Sequence, residues 1–429
     1  MENREHLFFA LQVGFRDPDT PLNEKEHLLP VGLIFNDDVA GLIVAFLKLR
    51  RENVELLFRQ CLEEDVKPQA LPDCGIGQKA HGTKLNPLQC ESQADISFDF
   101  PTIFCIFRHV GQLRNDLMDT VKPRRLQRGD LIGLVSPASR IVDTTKIDRA
   151  VRYIEGLGYR VIVGANATKM NTYLAGTDEE RAADLHAMFE DRRVKAIFCI
   201  RGGYGTPRLL PLMRYRMIAG NPKILVGYSD ITALQLAIWR KARLVTFHGP
   251  MAGVDMADPM DPFTEEHFWR SLTSRTRVGR MTIPDEQPHT LVPGKGTGRL
   301  LGGNLALIAS IVGTSFQPDF RNAVLFLEDI GEDPYRVDRM LTQLRGSGIL
   351  PKAHGVLVGQ FTECVPRDTS SPSFTVDEIL QEYTYGAGVP SLSGLPFGHN
   401  RRKMTLPVGI RVRVNATERW VEYLEGAVR

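Results

Sequence analysis

The stretch KILVGYSDITALQLAIWRKARLVTFHGP, Lys223 to Pro250, decides the fold. Lys223–Val226 reads as a short buried strand, the chain from Ser229 to Ala242 as a turn and helix, and Leu244–Phe247 as the next strand, closed by His248-Gly249-Pro250. Short apolar strands separated by a helix imply a crossover between parallel strands. The same rhythm extends toward the N-terminus. Strands are expected at Asp130–Val135, Arg160–Val163 and Val194–Ile200, the last ending in Arg201-Gly202-Gly203-Tyr204-Gly205. Helices are expected at Thr144–Leu157, stopped by Gly158, and from the capping box at Thr177-Asp178-Glu179-Glu180 to Phe189.

Toward the C-terminus, Pro and Gly crowd Thr282 to Gly303, and a domain linker is placed near Pro284 to Pro293. Gly294-Lys295-Gly296-Thr297-Gly298 satisfies neither phosphate-loop spacing and is assigned to the same linker. A second unit follows, with strands at Val324–Leu327 and Gly355–Val358 and helices at Tyr335–Leu344 and Thr375–Tyr385. Its end is β-like, at Met404–Val408, Arg411–Val414 and Trp420–Leu424. The fold class is therefore α/β: a parallel-sheet domain over 118–284, then a smaller β/α domain over 285–429.

Residues 1–117 have a different texture. One helix is expected at Asp38–Leu62, followed by a loop-like polar run from Lys67 to Asp95, and four of the six cysteines (Cys61, Cys74, Cys90, Cys105) fall here. The region is read as an N-terminal extension, and Met118 as an alternative start giving 312 residues.

Composition bounds the function. The 429 residues carry 53 Lys plus Arg against 51 Asp plus Glu, a formal charge of +2, which gives no reason to expect nucleic acid or an anionic membrane as partner. The longest apolar run, Val39–Leu47, is nine residues, against about 20 for a spanning helix. No CxxC pair, HExxH or Cys/His cluster is present, so no metal is expected, and sparse cysteine points to a reducing cytoplasm. The N-terminus reads as mixed in charge, without a signal peptide.

Parallel sheets put chemistry at the carboxyl ends of their strands. Those ends hold Ser136, the Arg201–Gly205 turn, Ser229 and His248, and in the second unit Glu328-Asp329, with His399 near its β-rich end. Ser229 has two readings: a nucleophile on a sharp strand-to-helix turn, although Ile231 departs from G-x-S-x-G, or a helix N-cap. His248 and His399 both stand as candidate bases, each against the plain reading of a structural histidine. Glu328 precedes the next helix by several residues and is poorly explained as a cap, unlike Asp333 before Pro334. Ser229, Glu328, His399 follow the Ser…acid…His order of one convergent triad type. The glycines of the Arg201–Gly205 turn let the backbone approach a ligand closely, or simply make a sharp turn.

These segments, together with Gly302-Gly303-Asn304-Leu305, Pro396-Phe397-Gly398-His399 and Thr405-Leu406-Pro407-Val408-Gly409, resemble the LD-carboxypeptidases, the serine-peptidase family that includes the microcin C self-immunity peptidases. The resemblance covers roughly Lys122 to Arg429. It implies a flavodoxin-like, glutamine-amidotransferase-like first domain followed by a smaller swivelling β/α domain. It further implies Ser229 as nucleophile, Glu328 as acid, His399 as base, and the Gly203 and Asp230 backbone N–H groups as oxyanion donors. No cofactor is implied. The expected partner is a small peptide or muropeptide, the murein tetrapeptide ending in D-Ala, handled by a cytoplasmic homodimer in cell-wall recycling. Two alternatives are an immunity-type peptidase on peptidyl- or aminoacyl-nucleotides, with Trp239, Phe263, Trp269 or Tyr335 as aromatic surface, and a non-catalytic peptide-binding protein.

Overall fold

The structure, a computed structural model, describes residues 120–277, 279–281 and 287–429. The extension at 1–117, its helix and the Met118 start lie outside the described residues, as does part of the expected linker. The front half runs β1 (Leu131–Val135), α1 (Thr145–Gly156), β2 (Arg160–Val163), α2 (Asp178–Glu190), β3 (Val194–Cys199), α3 (Thr206–Leu209), α4 (Tyr215–Gly220), β4 (Ile224–Gly227), α5 (Ile231–Ala242), β5 (Thr246–His248) and α6 (Pro262–Thr273). The rear half runs β6 (Gly279–Arg280), β7 (His289–Val292), β8 (Lys295–Asn304), α7 (Leu305–Ile311), β9 (Val324–Ile330), α8 (Pro334–Gly346), β10 (Gly355–Thr362), α9 (Val376–Ala387), β11 (Ser391–Ser393), β12 (Leu406–Val408), β13 (Arg411–Asn415) and β14 (Trp420–Tyr423).

Two sheets result. A six-stranded sheet has the order β12-β5-β4-β3-β1-β2, parallel throughout except for β12, which pairs antiparallel with β5. An eight-stranded mixed sheet has the order β6-β14-β13-β8-β9-β10-β11-β7, with a parallel centre at β8-β9-β10-β11. The chain therefore returns to the first sheet after building most of the second, and Leu406 lies opposite His248. Between the sheets sits α5. Every residue from Ile231 to Trp239 is buried, because the helix packs on β4, β5 and β12 of the first sheet, on β8 and α7 of the rear half, and on α3 and α4. A helix segment covered on all sides reads as continuously apolar, as Ile231 to Trp239 does apart from Thr232 and Gln235, with Arg240 and Lys241 following at the helix end. Gln235 donates its amide to the Gly227 and Phe247 carbonyls at 3.0 and 2.7 Å, so the buried amide nitrogen is satisfied by strand-end acceptors.

The linker expectation is corrected. His289–Val292 is strand β7, and Gly294–Gly298 runs into the ten-residue β8, a central strand of the second sheet. The glycines are there for close backbone approach: a Cβ at Gly296 would overlap the His354 carbonyl oxygen, and one at Gly298 the Asn322 carbonyl oxygen. A run read as punctuation is a strand stripped of side chains where neighbouring backbone passes. A second correction concerns β9, which continues to Ile330, so Glu328 and Asp329 lie inside the strand rather than beyond its end. The helix α6 and the strand β11 had no expectation attached to them.

Gly296→Ala is expected to destabilise the protein by on the order of 3 kcal/mol or more, since backbone on the opposing side cannot yield as a side chain could. Gly386→Ala, in α9 with nothing within 4 Å of the added methyl, should be neutral or stabilising by about 0.5–1 kcal/mol. Thermal unfolding of the two variants checks the contrast, and equal losses would refute it.

Candidate active site

The β4–α5 turn leaves Ser229 at φ 62°, in the left-handed region. For a residue with a Cβ this backbone is strained by about 1–3 kcal/mol, so the surroundings must enforce it. They do so by close packing: a Cβ at Gly202 would lie 3.0 Å from Ser229 Cβ and 3.2 Å from its Oγ, and one at Gly227 would lie 2.8 Å from Ile231 Cγ1. The N-cap reading of Ser229 does not hold, because the N-cap position is Asp230 and no side chain caps the helix.

Asp230 turns the other way. Its carboxylate accepts the Gly205 and Thr206 amides at 3.2 and 2.8 Å, and the Thr206 hydroxyl donates to its carbonyl. The carboxylate therefore clamps the Arg201–Gly205 turn against the start of α5, and burial pushes its pKa up. Gly203 stands exposed at φ 109°. Neither its amide nor that of Asp230 donates to another group among the described residues. Two N–H groups are thus left unspent, one directly after Ser229 and one directly after Gly202, which packs on Ser229.

His399 and Glu328 meet directly: Nδ1 stands 2.7 Å from Oε2, with the His399 side chain 12% and the Glu328 side chain 0% exposed. Glu328 pairs in register with Asn304 on β8. The approach of the histidine loop needs Gly398, at φ 117°, where a Cβ would lie 2.9 Å from Glu328 Oε2. With Nδ1 held as donor, Nε2 is the ring nitrogen left to accept a proton. No hydrogen bond joins His399 to the Ser229 hydroxyl; the link between the two regions is Tyr228, which precedes Ser229 in the chain and whose ring lies edge-on to His399 at 5.0 Å.

Sequence reasoning missed what fixes that link. Lys403, 3% exposed, donates to Asp255 Oδ1 at 2.6 Å and to Tyr228 Oη at 3.1 Å. Its Nζ also stands 4.3 Å from the centroid of the Tyr228 ring. Thr264 of α6 accepts the Lys403 amide at 2.8 Å and donates to the Arg401 carbonyl at 3.1 Å, and His267 Nδ1 accepts from Thr405 N at 3.2 Å. The segment carrying His399 is thus bolted to α6 before it enters the first sheet as β12. The available signal was the single buried lysine between His399 and the β-run, in a stretch otherwise read as loop.

A cleft of about 400 Å³ opens beside His399 and Tyr228, lined also by Asp255, Asp258, Arg401 and Lys403. His248, the rival base, is fully buried with both ring nitrogens unpartnered. Burial, then the neighbouring His399 and Lys403, push its pKa down to about 3. It packs against Phe326 and Tyr228. Asp329, beside Glu328, accepts from Asn304 Nδ2 and from the Ala306 and Ile330 amides. Burial and the adjacent Glu328 raise its pKa to about 7. Of the aromatic candidates, Trp239 is buried in α5 and Trp269 stacks on Tyr159 at 5.1 Å, while Phe263 is capped by Arg402; only Tyr335 is exposed. The described residues contain no group of His, Cys, Asp and Glu arranged to hold a metal and no helix long and apolar enough to cross a membrane.

Comparison with known proteins shows the family. Residues 132–249 match the LD-carboxypeptidase N-terminal domain and residues 297–414 the LD-carboxypeptidase C-terminal domain. A probable murein peptide carboxypeptidase of Bacillus subtilis is 42% identical over 301 residues, 70% of this chain and 92% of that protein. The crystal structure of muramoyltetrapeptide carboxypeptidase from Oxalobacter formigenes superposes with TM-score 0.60 at 32% identity, covering 68% of this chain and 97% of the other. Microcin C7 self immunity protein MccF in complex with aspartyl sulfamoyl adenosine gives TM-score 0.66 at 26% identity, over 72% of this chain and 100% of the other.

His248 makes the protein acid-sensitive. Its folded pKa of about 3 lies below its ordinary 6.5, so the folded state binds fewer protons and the contribution is complete only above 6.5. It is lost progressively as pH falls from 6.5 toward 3. The melting temperature is expected to drop less between pH 7 and pH 4 in His248→Leu than in wild type, and parallel pH profiles would refute this.

Proposed function

The chain belongs to the LD-carboxypeptidase family, and from that premise we propose that it is a serine carboxypeptidase releasing the terminal D-Ala of murein tetrapeptides. The observation that carries the reading is the Glu328–His399 contact of 2.7 Å beside a serine held at φ 62°. In this reading the Ser229 oxygen attacks the carbonyl that precedes D-Ala while His399 Nε2 takes its proton. Glu328 holds the Nδ1–H and stabilises the imidazolium. The Gly203 and Asp230 amides receive the oxyanion, each such donor being worth about 10²–10³ in rate. The C–N bond then breaks, the D-Ala amine leaves with the proton from His399, and water, deprotonated by the same ring, hydrolyses the Ser229 ester.

The same proposal takes the first sheet as flavodoxin-like, supported by its parallel order 2-1-3-4-5. It takes the rear lobe as one that closes on substrate, in a cytoplasmic homodimer. The division into 1–117, 118–284 and 285–429 stands as part of it, with the qualification that β12 is lent back to the front sheet. A second reading, a peptidase acting on aminoacyl- or peptidyl-nucleotides, is favoured by the likeness to MccF, whose structure holds aspartyl sulfamoyl adenosine.

Incubation with muramoyl tetrapeptide should release free D-Ala. Ser229→Ala should lower kcat by on the order of 10⁴-fold or more, and Glu328→Gln and His399→Ala by about 10⁴. Competition with a peptidyl nucleotide separates the two enzymatic readings. Tetrapeptide binding without D-Ala release in wild type would instead make the protein a non-catalytic binder.

A further inference from the structure

We propose that Arg201 receives the terminal carboxylate of the substrate and so makes the site select chain ends. The inference rests on the carboxypeptidase reading above and names the residue that gives it end-specificity. A carboxypeptidase must tell a terminal residue from an internal one, and the difference available to it is a carboxylate in place of an amide. That carboxylate lies three bonds from the carbonyl carbon under attack, so its anchor must stand close to the oxyanion cradle. It must also bring a cation whose charge is not already spent.

Most cations around the site are spent. Lys403 is held by Asp255 at 2.6 Å. Arg181, fully buried, is consumed by Asp178 and by the Pro137 and Gly205 carbonyls. Arg208 pairs with Asp178 at 2.8 Å, and Arg149 lies 3.7 Å from Asp258. Arg201 differs. It leaves β3 at the head of the glycine turn, is half-buried, and donates through Nη1 to the Arg140 carbonyl at 3.0 Å. Its Nη2 lies 3.5 Å from where a Cβ on Gly203 would stand, which places the guanidinium at the residue offering the oxyanion N–H. Neither Arg201 nor the adjoining Arg140, whose Nη1 reaches only Met170 Sδ at 3.3 Å, has a carboxylate partner among the described residues.

A half-buried guanidinium with no carboxylate partner has lost part of its hydration, an arrangement stabilised when an anion arrives. Arg presents a planar fork that matches a carboxylate in two parallel hydrogen bonds. The rival anchor is Arg401, exposed at the cleft on the histidine side, where its Nη2 reaches the Pro259 carbonyl at 3.4 Å. Arg201 is preferred because its side chain is positioned by the turn itself, whereas Arg401 stands in solvent.

The test compares the tetrapeptide L-Ala-γ-D-Glu-diaminopimelate-D-Ala with its C-terminal carboxamide. Wild type should prefer the free acid, and Arg201→Gln should cut the acid-to-amide ratio of kcat/KM by about 10- to 100-fold, the range for a lost hydrogen bond to a charged group. Arg201→Lys should restore part of the ratio, and Arg401→Gln should leave it in place. The proposal is overturned if wild type does not discriminate, if Arg201→Gln slows both substrates alike, or if Arg401→Gln is the variant that collapses the ratio. Should wild type release neither D-Ala from the acid nor D-alaninamide from the amide, the hydrolytic reading fails by itself. Calorimetric binding of the acid and the amide to Ser229→Ala, with and without Arg201→Gln, then decides: an acid preference that Arg201→Gln abolishes upholds the assignment, and equal binding refutes it.

Discussion

A carboxylate with no exposure, set inside a strand, is the constraint around which the rest of the molecule is arranged. Glu328 sits on β9 between Phe326 and the parallel pairings to β8 and β10, and His399 reaches one of its oxygens at 2.7 Å. Burying an ionised carboxylate costs several kcal/mol unless it is paired, so the imidazole serves the fold as well as the chemistry. The other oxygen, Oε1, has no hydrogen-bond partner. A carboxylate satisfied on one side only holds its histidine in a single orientation, because the alternative is two orphaned lone-pair sets. Gly398 is the price of that contact, since any side chain there would fill the space His399 needs to approach.

Glu328 and its neighbour Asp329 divide two tasks by strand geometry. Successive side chains on a strand point to opposite faces, so Glu328 faces the histidine loop while Asp329 faces Asn304 and the first turn of α7. Asp329 fastens β9 to the start of that helix. Burial and the adjacent Glu328 charge raise its pKa to about 7, a consequence of placing two carboxylates side by side in an apolar strand. The neutral form of Asp329 relieves that repulsion.

Much of this was legible in the sequence, and the failures have physical causes. The crossover units around β1 to β5 follow from apolar runs separated by helical periodicity, and Thr177 indeed makes a capping box with Glu180. Ser229 could not be separated from an ordinary N-cap, because that choice depends on one backbone angle rather than on residue type. Gly294–Gly298 misled for a related reason: glycine marks both a flexible linker and a strand pressed against foreign backbone, and only three-dimensional neighbours distinguish them. His248 and His399 were equivalent by position. They differ in burial, because antiparallel β12 covers His248 from the far end of the chain, a contact of long sequence separation that no local pattern records.

That returning strand also explains how the loop carrying His399 is held to the half of the chain that carries Ser229. A loop from the second sheet alone would leave His399 free to drift with any movement between the two sheets. The segment from His399 to Val408 is instead fixed at both ends to the first sheet's side: Thr264 and His267 of α6 take its backbone, Lys403 reaches Asp255 and Tyr228, and β12 pairs with β5. Tyr228 precedes Ser229 directly, so the lysine that anchors the histidine loop also anchors the residue next to the serine. Behind them, Asn304 N donates to Thr232 Oγ1 at 3.0 Å, tying β8 to the first turn of α5. The serine turn is thus gripped from the second sheet on one side and from the histidine loop on the other. With the histidine loop attached through α6, Asp255 and β5, a displacement of the rear sheet would carry Glu328 away from a histidine that stays with the front sheet. The 2.7 Å contact is therefore the joint at which the two halves register with each other.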